Sequence, residues 1–274
     1  MDKFYPSRTH PRAWFLLCLT ALFCPLGAPL LQAAINLSPA EAHRIGRKIW
    51  QNECNGTVAG LTSWNTGEDF ASLGIGHFIW YPAGRKGPFE ESFPKLVAFL
   101  SSRRAKLPKM LAGREEMHCP WNSRAEFMLA QETPDMRELR RFLANTVHLQ
   151  TQFMVNRLDT ALPKMLDATS SSARPQVTAH FRRLAGSANG CYALVDYVNF
   201  KGEGVLPTER YAGQGWGLLQ VLEQMPDGKN DPVREFSQAA AAVLTRRVHN
   251  APPGHNESRW LTGWIHRVNS YSRS

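Results

Sequence analysis

The segment from Asn55 to Tyr81 constrains the fold most, because it interrupts a chain of helical patterns with residues that favour strands. It is rich in Gly, Thr, Trp and β-branched side chains, with turn signals at 65–67, which reads Asn-Thr-Gly, and around 82–84. This composition predicts a small antiparallel sheet. Residues 72–82, SLGIGHFIWYP, are expected to form a buried strand of that sheet, although they include two glycines and a histidine.

A helix is predicted immediately before this segment, from Pro39 to Cys54. Ser38 suits the N-cap, and Glu41 stands three residues later, which is the spacing of a capping box. Apolar residues at 45, 49 and 50 form a stripe at helical spacing. Glu53 therefore falls in the last turn, where loss of solvent and the helix dipole would favour a protonated carboxyl group.

The rest of the chain is predicted to be mainly helical. With 274 residues, 43% of them hydrophobic, it is long enough to bury a substantial core. Two segments rich in Ser, Pro or Gly, 168–175 and 250–258, are predicted to be loops. The helical patterns lie at about 93–104, 123–131, 134–154, 154–166 and 193–200.

The first 34 residues differ from the rest in composition. Three basic residues within the first twelve precede an uncharged run from Ala13 to Leu31, which is followed by small residues suited to cleavage. This pattern predicts a secretory signal peptide at 1–34 and a periplasmic or secreted mature protein. A single membrane anchor is the alternative, but two prolines and a glycine near the end of the run disfavour a spanning helix.

The formal net charge of +9 favours an anionic partner. Cell-wall glycan, nucleic acid and membrane surfaces all have the right sign. The basic residues are scattered, without the aromatic and basic pattern of a nucleic-acid-binding module, so no nucleic-acid partner is predicted. Contact with a membrane is expected only through the export signal.

Three cysteines remain beyond the predicted signal peptide: Cys54, Cys119 and Cys191. An oxidising compartment would permit one disulfide among them, and the sequence leaves the pairing open. No Cys-x-x-Cys motif or spaced His and Cys set is present, so the sequence predicts no metal site and no cofactor.

The order of Glu53, the short sheet and Gly-Ile-Gly-His resembles the phage-type lysozymes. In that family a helix-borne glutamate is followed by the strand Thr-Ile-Gly-Ile-Gly-His, which residues 72–77, SLGIGH, match with two conservative changes. Residues 193–204, ALVDYVNFKGEG, are similar to the family's central buried helix, and residues 256–271 resemble its closing helices. The resemblance covers about a third of the mature chain, and the region between matches no part of the family.

The resemblance implies an α+β, mainly helical, two-lobed lysozyme-like fold. A small lobe would contain the antiparallel hairpin, Thr62 to Tyr81, and a helical lobe would be built around Ala193 to Phe200. The domain would occupy 35–274 with an insertion at about 84–187. The implied activity is hydrolysis of the β-1,4 bond between N-acetylmuramic acid and N-acetylglucosamine, with peptidoglycan glycan strands as partner.

Two carboxylates are usually needed for glycoside hydrolysis, one as acid and one to activate water or stabilise the transition state. The resemblance gives the acid role to Glu53 and a water-positioning role to Ser72. The family's second carboxylate falls at Thr66 here, so Glu68 and Asp69 are the nearest substitutes. Unbroken strand alternation would put Glu68 on the face of Ser72, and Glu68 is therefore the expected second carboxylate.

Substrate-binding residues follow from the same resemblance. Gly74 and Gly76 would let a sugar approach the strand backbone. Lys201, Glu203, Tyr211 and Gln214 lie where the helical lobe would meet the cleft, and contact there with glycan or its peptide stem is expected. His77 is expected to be structural, holding the hairpin to the rest of its lobe.

Asp196 stands out as a carboxylate inside an apolar helix. A buried carboxylate must be paired or protonated, and Arg259 is the expected partner.

The absence of a carboxylate at position 66 keeps two alternatives open, and a third is an endoglycosidase on another polymer such as chitosan, which would share the helix-borne glutamate. One is a lytic transglycosylase acting on the same bond, in which the sugar's own hydroxyl closes the ring and no water is needed. The other is a non-catalytic cell-wall-binding protein with the same fold.

Overall fold

The computed structural model describes residue 35 and residues 37–87, 89–113, 117–228 and 230–273. These residues belong to one compact unit. The predicted signal peptide, 1–34, lies outside the described residues. None of the helices in the described part of the chain is both long and apolar enough to cross a membrane.

The described residues form ten α-helices and five short strands, which confirms the mainly helical α+β class. The strands are β1 (Thr62–Ser63), β2 (Ala71–Leu73), β3 (Phe78–Trp80), β4 (Arg210–Tyr211) and β5 (Gln214–Gly215). The helices are α1 (Pro39–Cys54), α2 (Phe93–Ser102), α3 (Arg124–Leu129), α4 (Pro134–Asn145), α5 (Val147–Ala168), α6 (Arg174–Ala185), α7 (Ala188–Lys201), α8 (Leu218–Gln224), α9 (Pro232–Asn250) and α10 (Ser258–Ser270).

Helix α1 has the bounds that the sequence predicts. The Glu41 N–H donates to Ser38 Oγ at 3.2 Å, and the Ser38 N–H donates to Glu41 Oε2 at 2.9 Å, which completes the capping box. The helix ends where Asn55 adopts a left-handed conformation with φ 51°. Its buried stripe, Ile45 and Ile49, faces the core, so Glu53 in the last turn comes to the edge of that core.

The segment 72–82 forms two strands rather than the single buried strand expected from its sequence. β1, β2 and β3 make one antiparallel sheet in that order, and Ser72 pairs with both Ser63 and Ile79. Residues 74–77 form the turn between β2 and β3. Gly74, at φ 73°, and His77, at φ 47°, take left-handed conformations there, which reverses the chain.

The segment 84–187, expected to be an insertion, supplies part of the core. It contains α2 to α6, and α5 packs against α1, α2 and α7. The loops between α5 and α6 and between α9 and α10 lie within the segments predicted to be loops.

The three cysteines of the described chain do not pair with one another. Cys54, Cys119 and Cys191 are each buried with a free thiol, so none of the pairings that the sequence left open is formed among them.

Helix α7 runs through the centre of the helical part of the molecule. It begins at the Ser187 N-cap, whose hydroxyl accepts the Gly190 N–H, and its residues 190–197 are all buried. It packs against α1, α5, α6, α8 and α9. Because it is so enclosed, the polar side chains on its last two turns are held in fixed positions beside the end of α1.

Candidate active site

Glu53 is the point at which three parts of the fold meet. Its carboxylate accepts from Arg267 Nη2 on α10 and, at 3.4 Å, from Asn199 Nδ2 on α7. The ring nitrogen Nδ1 of His77, in the β2–β3 turn, lies 3.6 Å from Glu53 Oε2. The Glu53 side chain is 14% exposed, so the carboxylate is held by the protein and still open to solvent.

The arginine that holds Glu53 also neutralises a buried acid. Arg267 Nε and Nη2 each donate to the Asp196 carboxylate at 2.8 Å, and the Tyr271 hydroxyl donates to it at 2.6 Å. Burial opposes the charge of Arg267, but Asp196 and Glu53 outweigh it and raise its pKa above the ordinary value. The guanidinium is therefore a permanent charge shared between two carboxylates.

The expected pairing of Asp196 with Arg259 is wrong. Arg259 lies in the first turn of α10, where it is exposed and stacks on the ring of Trp260 at 4.2 Å. Arg267 lies in the last turn, from which its Nε and Nη2 both reach Asp196 on α7. Eight residues correspond to about 12 Å along a helix, so only one of the two arginines can reach Asp196.

His77 bridges the turn and α1, as its expected structural role requires. Its Nε2 lies 3.7 Å from Cys54 Sγ, while Nδ1 faces Glu53, so the two nitrogens contact consecutive residues of the helix. Burial and the neighbouring Glu53 charge raise the pKa of the Cys54 thiol to about 12. Cys54 is therefore a packing and hydrogen-bonding group at this site.

The two glycines of the turn make room for protein atoms. A Cβ at Gly74 would lie 2.5 Å from Gln150 Oε1, and one at Gly76 would lie 2.8 Å from the Phe78 ring and 3.2 Å from Asn199 Oδ1. Close approach by a sugar, which the resemblance implied, is therefore not what requires a glycine at position 74. Gly76 still borders a pocket.

That pocket adjoins Glu53. It has a volume of about 190 Å³, and His77 and Asn199, which both contact Glu53, are part of its wall. The remaining lining combines apolar side chains with an ion pair, in which Arg157 Nη2 lies 3.3 Å from Glu90 Oε2. The other lining residues are Gly76, Ile79, Ser92, Met154, Val195 and Val198.

Glu68 and Asp69 lie in a turn, so strand alternation does not assign their faces. β2 begins only at Ala71; the Glu68 carboxylate accepts from Asn65 at 3.1 Å, and Asp69 is 83% exposed beside Arg85. This turn joins β1 to β2, whereas His77 lies in the turn at the other end of β2. No contact between Glu68 and Glu53 is present among the described residues.

Ser72 lies in the middle of β2, where it is buried with 4% of its surface exposed. Tyr211 and Gln214 face each other in the separate two-stranded sheet formed by β4 and β5. The Tyr211 hydroxyl donates to Glu257 at 2.9 Å, and Gln214 is exposed. None of these three residues contacts Glu53 among the described atoms.

Asn199 and Arg267 are the site residues that sequence reasoning missed. Asn199 had a usable signal, because it follows Asp196 by three residues and so lies on the same face of α7. Arg267 had none, since the sequence offers several arginines near the closing helix.

No cluster of three or more His, Cys, Asp or Glu side chains that could hold a metal ion occurs within the described part of the chain. No known family model, curated protein or solved structure matches this chain. Glu53 and the groups around it are therefore the features of this chain that bear on its function.

Proposed function

We propose that this protein is an exported glycoside hydrolase with a two-lobed, lysozyme-like fold, which cleaves the β-1,4 bond between N-acetylmuramic acid and N-acetylglucosamine in peptidoglycan. The observation that carries the proposal is the position of Glu53. It stands on the last turn of a helix, partly exposed, against a Gly-Ile-Gly-His turn and next to an open pocket.

In its protonated form, Glu53 would act as the general acid that protonates the leaving oxygen. An acid must be held within hydrogen-bond reach of that oxygen, which requires a fixed rotamer. Arg267 and Asn199 hold Glu53 Oε1, and His77 flanks Oε2, which fixes the rotamer and leaves the carboxyl edge at the solvent boundary. Asp196 takes two of the hydrogen bonds of Arg267, so the arginine itself is also held in place.

In the hydrolytic version of this proposal, Glu68 activates water and Ser72 helps to position it. An inverting pair of carboxyl groups needs a separation of roughly 6.5 to 9.5 Å to accommodate the water. The three residues of β2 separate the turn that holds Glu68 from the turn that contacts Glu53, and three strand residues span about 10 Å. The Glu68 side chain would therefore have to extend along β2 toward Glu53.

Lytic transglycosylation of the same bond is the second candidate. Among the described residues, Glu53 contacts an arginine, an amide and an imidazole. The nearby carboxylate of Asp196 is already hydrogen-bonded to Arg267 and Tyr271. A reaction in which the sugar's own hydroxyl attacks needs only one carboxyl group, which protonates the leaving oxygen and then takes the proton from the attacking hydroxyl. This arrangement of neighbours favours it.

Release of dye from stained peptidoglycan sacculi tests both candidates. We expect the wild-type protein to release dye and Glu53→Gln to release none while melting as the wild type does. Glu235→Gln is the matched control, because Glu235 is likewise a glutamate paired with an arginine, Arg183, at 2.8 Å. Cleavage by Glu53→Gln at the wild-type rate would refute the proposal. Mass spectrometry then separates reducing ends from anhydro-sugars, which are lighter by one water.

A further inference from the structure

Lys201, the last residue of α7, is held between aromatic rings. Its Nζ lies 3.3 Å from the centre of the Trp264 ring and 4.0 Å from the centre of the Phe200 ring. An ammonium group over a ring face gains only a modest attraction, which is less than a buried charge needs. The side chain is thus placed in an enclosed, largely apolar position.

The acids near Lys201 are already paired. Arg247 on α9 donates to both oxygens of Glu257, at 2.7 and 2.8 Å, and Arg267 binds Asp196 and Glu53. None of the described residues forms an ion pair or a hydrogen bond with Lys201 Nζ. Burial, together with the charges of Arg247 and Arg267, lowers the pKa of this amine to about 6, although Glu257 and Glu53 act in the opposite direction.

Lys201 is also close to the candidate active site. Phe200 contacts both cations, since Arg267 Cζ lies 4.2 Å from the centre of the ring that Lys201 touches. Arg267 in turn binds Glu53, and Asn199, two residues before Lys201, binds Glu53 as well. Lys201, whose amine lacks an anion, is therefore connected to Glu53 through Phe200, Arg267 and Asn199.

We propose that Lys201 binds a carboxylate of the substrate next to the bond that Glu53 cleaves. This inference rests on the proposed function and assigns it a specificity. A substrate carboxylate would supply the counter-charge that the aromatic rings and the already paired acids do not supply. The Lys201 amine would take up a proton when that carboxylate binds. A glycan of N-acetylglucosamine alone offers no such group, so Lys201 would select against chitin.

Two carboxylates of peptidoglycan have this chemistry: the lactyl group of N-acetylmuramic acid and the acidic residues of the stem peptide. Three probes separate them in calorimetric titrations, and none contains the bond to be cleaved. They are N-acetylglucosaminyl-N-acetylmuramic acid with its free lactyl group, the same disaccharide carrying a tetrapeptide, and neutral N,N′-diacetylchitobiose. If binding of the first probe depends on Lys201, the lactyl group is the carboxylate that Lys201 binds. If only binding of the second probe depends on Lys201, that carboxylate belongs to the stem peptide.

We expect Lys201→Met to weaken binding of the acidic probe about tenfold and to leave that of chitobiose unchanged. The unchanged chitobiose affinity also shows that the variant is folded. Titration of the wild type in two buffers of different ionisation enthalpy should reveal proton uptake with the acidic probe, and Lys201→Met should abolish it. Lys86→Met, which removes an exposed lysine charge, is the matched control and should behave as the wild type.

Equal losses for acidic and neutral probes, or no loss for either acidic probe, would overturn the assignment of Lys201. If the wild type still cleaves sacculi in a Glu53-dependent manner, the proposed function survives that result. A wild-type protein that neither cleaves sacculi nor binds any of the three probes would refute both proposals.

Discussion

The side-chain oxygen of Gln150, on α5, accepts the backbone N–H of Ile75 at 2.9 Å, and both residues are fully buried. The Gln150 amide nitrogen donates in turn to the Leu143 carbonyl at 2.7 Å and to Thr146 Oγ1 at 3.1 Å. One side chain therefore fastens the β2–β3 turn, and with it His77, to the helical part of the molecule.

Gln150→Leu should destabilise the protein by about 1 to 3 kcal/mol, because it leaves the buried Ile75 N–H without an acceptor. Urea unfolding measures this. Gln152→Leu, two residues along the same helix, should change the free energy of unfolding by less than about 0.5 kcal/mol. Equal effects of the two substitutions would show that the turn does not depend on Gln150.

Arg267→Met should cost about 3 to 5 kcal/mol, since it leaves Asp196 charged and buried without its partner. Arg259→Met, on the exposed first turn of the same helix, should cost less than about 0.5 kcal/mol. Thermal and urea unfolding of both variants make the comparison. If Arg259→Met were the more destabilising change, the pairing at Asp196 would be wrong.

The sequence predicted the elements whose signals are local. The capping box of α1 involves Ser38 and Glu41, three residues apart, and both bounds of that helix were correct. The strand at 72–82 was predicted wrongly, because its apolar content hid a turn at Gly74 and His77. The apolar character there reflects burial against α5, which a periodicity argument cannot distinguish from burial within a strand.

The candidate site was only partly predictable. Glu53 could be picked out because its position depends on α1 alone. Arg267 could not, since it reaches Glu53 by packing between helices far apart in sequence. Asn199 could have been found only through its spacing of three residues from Asp196 on α7. The sequence also could not predict on which face of the sheet Glu68 lies, because side chains alternate between faces only within a strand and Glu68 lies outside β2.

Substitutions at Glu68 and Asp69 distinguish the two reactions. If Glu68 activates water, Glu68→Gln should slow the release of dye from sacculi at least about tenfold, equivalent to about 1.4 kcal/mol. Asp69→Asn should have no effect, because Asp69 is exposed and points to Arg85. Full activity of Glu68→Gln with anhydro-sugar products would instead favour transglycosylation, and a dead Asp69→Asn would reverse the assignment.

Lys201 should make stability depend on pH between about 6 and 8. Its pKa is about 6 in the folded protein against an ordinary value of 10.5, so across this range the unfolded chain binds more protons at this residue. The free energy of unfolding should therefore rise with pH there. Urea unfolding at several pH values should give a smaller rise for Lys201→Met than for the wild type or Lys86→Met, and an unchanged slope would contradict this.

The free cysteines should be unreactive in the native protein. Burial raises the pKa of Cys54 and Cys119 to about 12 and that of Cys191 to about 11, so little thiolate is present at pH 8. Alkylation followed by peptide mapping should find these three sites unlabelled in buffer and labelled in denaturant. Rapid native labelling at Cys54 would show that the contact between α1 and the β2–β3 turn opens readily.

The pairing of Glu53 with Arg267 joins residues 214 positions apart. At a synthesis rate of roughly 5 to 20 residues per second, the glutamate leaves the ribosome roughly 10 to 40 seconds before its arginine. During that interval the nascent chain cannot complete the arrangement that fixes the acid. The arrangement of side chains around Glu53 is therefore completed only after most of the polypeptide has been made.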